Sequence, residues 1–168
     1  MVKGSPVPGA GRTSLPPFLV RFVATFGFTG MFPIAPATFA SAVTLGLFWF
    51  APPLPLVGWI VMLVLLTVIG TYFAHQAEQL YGHDASPIVI DEVVGVLLTI
   101  AMLPHTLGVY LIGFFLFRVL DVVKPPPAYQ FQSLRGGFGV MADDVMAGIY
   151  GQILLRLAVH FWPAIGRG

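Results

Sequence analysis

The sequence predicts an all-α integral membrane protein: a bundle of about four to five transmembrane helices behind a short interfacial N-terminal helix. Three observations carry this. The 168 residues are 57% apolar and only 9% charged, whereas soluble domains carry about 25% charged residues. Long apolar runs recur, most clearly at residues 54–74; about 20 residues at 1.5 Å each cover a hydrocarbon core of about 30 Å. The stretches between the runs alternate between polar, charged ones and short, uncharged ones.

In chain order, residues 1–17 are rich in Pro, Gly and Ser, contain no apolar core of signal-peptide length, and predict a flexible tail. Residues 18–168 form one membrane-embedded domain, which suits the chain length. Residues 18–32 are apolar and aromatic and predict a short helix at the membrane interface, with Arg21 snorkelling. In the following FPIAPATFAS, Pro33 and Pro36 disfavour continuous helix. Thr38 and Ser41 are placed to cap a new helix, and its free N–H groups would suit an anion. Residues 38–50 are apolar but short for a span, 51–56 form a Pro-rich turn, and 54–74 cross the membrane. Residues 75–87 are the most polar stretch; they read as an emerging helix end and a loop, with His83 and Asp84 as an adjacent pair of a type that can bind metal but is more often simply solvated.

The central run is 88–103, IVIDEVVGVLLTIAML. Asp91 and Glu92 stand side by side in it, and nothing in the run neutralises them. A carboxylate near the middle of a membrane helix costs about 2.5–3.5 kcal/mol, so a partner is expected opposite. After a short turn, residues 107–123 form the next span. It ends with Arg118, Asp121 and Lys124 at spacings of three, near one another on one face, before three prolines stop the helix. A loop with Arg135 and a GGFG run leads to Asp143 and Asp144 at the start of the last span, 144–162, where acids suit a helix N-terminus.

With Lys3, Arg12 and Arg21 marking a cytoplasmic N-terminus, five crossings put the Thr38 turn, the His83 loop and the Arg135 loop on the cytoplasmic side. Asp91, Glu92, Asp121, Asp143 and Asp144 then share one face. Such a cluster repels itself unless a cation is present. Oxygen-only ligands suit a hard ion, Mg²⁺ first. Arg118, Lys124 and Arg135, with the Thr38–Ser41 turn, are placed to grip an anionic substrate. The chain has no cysteine, which removes disulfides, Fe–S clusters, Cys-ligated zinc and thiolate nucleophiles. The net charge of +1 gives no reason to expect nucleic acid as a partner. Residue physics alone thus predicts a metal-dependent site for an anionic membrane substrate. An ion or proton carrier is the alternative, marked by charges spread through the membrane's depth; here they gather toward one face. A scaffold would need no clustered acids.

Four segments carry a resemblance: FGFTGMFPIAPATFAS (26–41), HQAEQLYGHDASPIVIDEVVG (75–95), FRVLDVVKPPP (117–127) and GGFGVMADDVMAG (136–148). In this order they resemble the phosphatidylglycerophosphatase A family of bacterial membrane phosphatases. The resemblance implies an α-bundle in the bacterial inner membrane that removes the terminal phosphate of phosphatidylglycerophosphate, giving phosphatidylglycerol, with Mg²⁺. One departure is Pro36-Ala37-Thr38 where the family commonly has Pro-Gly-Thr; alanine is harmless there if φ is negative. The signatures of haloacid-dehalogenase phosphatases, type 2 phosphatidic-acid phosphatases and CDP-alcohol phosphotransferases are not apparent.

Overall fold

The computed structural model describes residues 13–83, 85–126, 128–131 and 136–167. Among these the chain is helical without strands: α1 (Pro17–Ala24), a 3-10 turn (Thr29–Met31), α2 (Pro36–Phe48), α3 (Leu56–Tyr81), α4 (Ile90–Ile100), α5 (Leu107–Val123), α6 (Ala128–Phe131), α7 (Gly137–Phe161) and a closing 3-10 turn (Pro163–Gly166). Two helices, α3 with 26 residues and α7 with 25, are long and apolar enough to cross a membrane. The most apolar stretch of α3 is only 11% buried. Its outward face exposes Val57, Ile60, Val64 and Val68, which water would not tolerate along a whole helix.

The sequence places several boundaries differently. The second helix begins at Pro36, whose ring presets helical φ at the first position, and no side chain caps it. Thr38 and Ser41 therefore lie inside the helix rather than at its cap. The last helix begins at Gly137, so Asp143 and Asp144 stand nearly two turns inside it rather than at its start. The helix-dipole account of those acids does not apply.

The short α4 is the centre of the bundle, with ten of its eleven residues buried. It can be short because protein encloses it. The freed carbonyl of Ala101, just past its end, accepts from Gln152 Nε2 at 2.7 Å and Arg156 Nη2 at 3.3 Å, so this acceptor is satisfied by protein where the helix breaks. The α4–α7 seam is built on glycine. Gly95 lies one turn after Asp91 and Glu92, and Gly148 one turn after Asp144, so each shares a face with its acid. A Cβ on Gly148 would meet the Gly95 carbonyl at 2.7 Å, and one on Gly95 would meet the Asp144 carbonyl at 2.8 Å. Thr99 continues the seam, donating to the Gly95 carbonyl at 2.9 Å. The two backbones touch at the glycines, and the acids one turn away are thereby brought together.

This sets a first expected outcome. Gly148→Val should cost about 3 kcal/mol or more, because the clash is with backbone that cannot swing away. Gly46→Ala is the contrast: nothing lies within 4 Å of its added Cβ, so it should be neutral or stabilising by up to about 1 kcal/mol. Thermal unfolding in detergent measures both.

Candidate metal and phosphate site

Helices α2, α4 and α7 run in one direction and α3 and α5 in the other, so the N-terminal ends of the first three meet the C-terminal ends of the other two. At that end lies a cavity of about 320 Å³. Pro36 and Ala37 of α2, Asp91 and Glu92 of α4, Asp121 of α5, and Lys124 line it. Carboxylate oxygens of Asp91, Glu92 and Asp144 all lie within 4.8 Å of one another, and all three residues are buried. Asp91 Oδ1, Glu92 Oε2 and Asp144 Oδ2 are buried oxygens without a hydrogen-bond donor among the described residues. Orphaned acceptors of this kind are costly, and three on one spot fit a hard divalent cation, which takes oxygen ligands only.

The two remaining acids hold bases. Asp121 Oδ2 sits 2.9 Å from Arg118 Nη1, and its carboxyl also interacts with that of Asp144. Asp143 points to Lys124: Nζ to Oδ2 is 2.5 Å. Asp143 Oδ1 also accepts the Asp144 N–H at 3.1 Å. Arg118, Asp121 and Lys124, read as neighbours on one helix face, thus pair differently: Arg118 with Asp121, and Lys124 with Asp143. Lys124 is the residue that ends α5, in a left-handed conformation with φ 45°. That turn, costly for a residue with a Cβ, swings its ammonium across to α7. Burial works against the charge of Lys124. The hydrogen bond to Asp143 and the charges of Asp143, Asp121 and Asp144 outweigh this and raise its pKa above the ordinary lysine value.

At the α2 end, the Phe39 N–H is the first one used within the helix, bonding Ala35 at 3.0 Å. Pro36 has no N–H, which leaves those of Ala37 and Thr38 unused by the helix. Ala35 carries the left-handed turn, with φ 49°, whereas Ala37 is helical, so alanine at 37 costs no backbone strain. Ser41 is buried and donates to the Ala37 carbonyl at 2.9 Å, so its hydroxyl is spent inside the helix. Arg135 and Asp84 lie outside the described residues; His83 instead pairs with Glu78. Sequence reading missed Ser86, which lines the cavity mouth; a lone Ser before Pro carries no signal.

The sequence model of the PgpA family, phosphatidylglycerophosphatase A, matches residues 22–159. The chain belongs to the phosphatidylglycerophosphatase A family. Its members include proteins of that name from Escherichia coli K12, 34% identical over 80% of each chain, and from Haemophilus influenzae, 36% identical over 62% of this chain and 65% of the relative. A Bacteroides thetaiotaomicron protein, provisionally named a phosphatidylinositol-3-phosphatase, is 36% identical over 85% of this chain and 95% of its own. No solved structure matches the chain significantly. Membership in the phosphatidylglycerophosphatase A family makes the chain a phosphatase, a phosphoric monoester hydrolase.

Glu78 gives a second expected outcome. The sequence offers it no partner, but the structure pairs it with His83; the Glu78 side chain is 11% exposed, yet its partner is 55% exposed and open to solvent. Pairs with one solvent-open partner are screened, and exposed ones are worth about 0–1 kcal/mol. Glu78→Gln should therefore leave phosphate release within about twofold of wild type, as a steady-state assay would read.

Proposed function

We propose that the chain hydrolyses the terminal monoester of phosphatidylglycerophosphate to phosphatidylglycerol and phosphate, as a step of phospholipid biosynthesis, with Mg²⁺ as cofactor. The observation that carries the reading is the set of three buried carboxylates with orphaned oxygens, beside a cavity that also takes the α2 N-terminus and Lys124. Asp91, Glu92 and Asp144 would hold the ion, with Asp121 beside them. When bound, Mg²⁺ polarises phosphoryl oxygens as a Lewis acid. Lys124 and Arg118 bind the monoester's charge, with Arg135 as a further expected contact. The N–H groups of Ala37 and Thr38 hold its oxygens, as helix N-termini hold anions. Asp143 positions Lys124, and Ser41 supports the start of α2 through Ala37. The net reaction adds water across the bond between phosphorus and the glycerol oxygen, and that oxygen leaves with a proton.

The domain of residues 18–168 is proposed to sit in the bacterial inner membrane with five crossings and the acidic end facing the cytoplasm. The alternating helix directions support this. So does the absence of any Asp or Glu from residues 98–115 and 150–167 at the far end, which also speaks against a path of carboxylates for a carrier. A cysteine placed at Ser86 should resist a membrane-impermeant maleimide in intact spheroplasts and react after lysis. Labelling before lysis would contradict the orientation.

The test of the activity is phosphate release by the purified protein in vesicles, with Mg²⁺ and with EDTA. Phosphatidylglycerophosphate should be hydrolysed only with the metal, and faster than phosphatidylinositol 3-phosphate, the substrate in the Bacteroides relative's name. Preference for the inositol lipid would overturn the headgroup assignment; equal turnover in verified metal-free buffer would overturn the cofactor.

A further inference from the structure

A second hollow lies on α2 and α5, two of the helices that also line the acidic cavity. It is an open groove of about 430 Å³ between α2 and α5. Ala42, Leu45, Gly46 and Trp49 line it from α2; they are spaced i, i+3, i+4, i+7, one continuous helix face. Leu107, Tyr110, Leu111 and Phe114 line it from α5 with the same spacing. Followed toward the acidic end, the α2 strip continues through Thr38. The α5 strip continues through Arg118 and Asp121. One seam between two antiparallel helices therefore carries a charged cavity at one end and an apolar groove along the rest.

The groove is held open at Gly46. A glycine inside a helix costs up to about 1 kcal/mol against alanine, and close packing is the usual reason to keep one. Here nothing lies within 4 Å of an added Cβ. The missing side chain leaves space and contributes no contact. The far end is closed by aromatic packing: the rings of Trp49 and Tyr110 meet edge-on at 5.0 Å, and Trp49 lies 4.7 Å from the His105 ring. From Ala37 to Trp49 the helix rises about 18 Å at 1.5 Å per residue. One leaflet's share of a hydrocarbon core of about 30 Å is about 15 Å. The seam thus has the length of one acyl chain, with a phosphate-sized polar cavity at its head.

We infer that the α2–α5 groove binds an acyl chain of the lipid whose phosphate enters the acidic cavity. The occupant is a fatty acyl tail of a phosphate-monoester lipid. The inference rests on the phosphatase reading above and adds a determinant of chain length to it. Gly46 lies about 14 Å along α2 from Ala37, so a long tail passes it and a six-carbon tail ends short of it.

The test compares wild type, Gly46→Ala and Gly46→Phe on dipalmitoyl and dihexanoyl phosphatidylglycerophosphate in mixed micelles at fixed Mg²⁺. For Gly46→Phe, KM for the long-chain lipid should rise at least about tenfold, with the short-chain KM and kcat within about twofold of wild type. Gly46→Ala should behave as wild type on both. A dipalmitoyl lipid with a photoactivatable group near its tail end should label α2 or α5 in wild type, and markedly less in Gly46→Phe. An unchanged long-chain KM would overturn the inference and leave the groove to ordinary bilayer lipid. Equal losses on both substrates would overturn it as well, since the change would then act on the shared headgroup site or the fold. If wild type released phosphate from neither lipid, the phosphatase reading would fail first. The labelling difference would then decide the groove by itself.

Discussion

Asp144→Asn should lower phosphate release from phosphatidylglycerophosphate by at least about 100-fold while leaving the metal-free protein as stable as wild type, or more so. The two halves of this expectation have one cause. Oxygens of Asp91, Glu92 and Asp144 converge within 4.8 Å of one another, and each of the three is less than a tenth exposed. Without a cation such a set is held together against its own repulsion and against desolvation. Replacing one carboxylate by an amide of the same size relieves part of that cost. With a cation the sign reverses, because the carboxylate is then a ligand. Losing a group that positions a catalytic metal costs several kcal/mol in the transition state, and each 1.36 kcal/mol is tenfold in rate. Asp91→Asn and Glu92→Gln should follow the same pattern. Thermal unfolding in EDTA and in Mg²⁺, beside initial rates, reads both halves. Mg²⁺ should raise the melting temperature of wild type and leave that of the three variants nearly unmoved. Had the acids been structural, each variant would melt lower in EDTA and keep its rate.

Lys124→Met should lower both stability and activity, and pairing it with Asp143→Asn should recover only the stability. Asp143 is buried, with a side chain 4% exposed, and its Oδ2 lies 2.5 Å from Lys124. Removing one partner of a buried ion pair costs about 3–5 kcal/mol. The Asp144 N–H still donates to Asp143, which argues for the lower end, about 3 kcal/mol. Asp143→Asn alone should also destabilise, since it removes the hydrogen-bonded counter-ion and leaves the ammonium to the charges of Asp121 and Asp144. The double variant removes both charges, so the two costs should fall short of additivity by at least about 1 kcal/mol. Activity should stay at least about tenfold down in the double variant, because nothing replaces the ammonium beside the phosphate. Detergent unfolding and kcat/KM for the four proteins complete the cycle. Restored activity in the double variant would reduce Lys124 to a counter-ion.

The acids at 91, 92, 143 and 144 were legible because a carboxylate in an apolar run is expensive and demands a reason. The helical class and the polar and apolar alternation were legible for the same kind of reason. What joins the acids was not. Gly95 and Gly148 read as ordinary residues of apolar helices, and only the packed structure shows two backbones meeting there. The start of α7 was hidden by its own glycines. GGFG reads as loop, yet a Cβ on Gly137 would strike the Thr71 carbonyl of α3, so close helix approach rather than a turn requires glycine. The split of Arg118 from Lys124 depends on one left-handed residue at the end of α5, which no spacing rule reports. The length of α4 was overestimated because an apolar run does not reveal where a helix ends inside protein rather than lipid. The α2–α5 strips were present in the sequence at i, i+3, i+4, i+7, but two such strips become a groove only when the helices face each other.

The central claim is that Asp91, Glu92 and Asp144 together hold the divalent cation that phosphate release requires. Mn²⁺ takes the same oxygen ligands as Mg²⁺ and is paramagnetic, so binding can be counted directly. Electron paramagnetic resonance of purified wild type in detergent, titrated with Mn²⁺ in the absence of lipid, should show saturable loss of the free-ion signal. Mg²⁺ should reverse it, and Asp144→Asn should weaken the affinity at least about tenfold. Equal Mn²⁺ affinity in wild type and in all three single neutralisations, with the folds intact, would contradict the account.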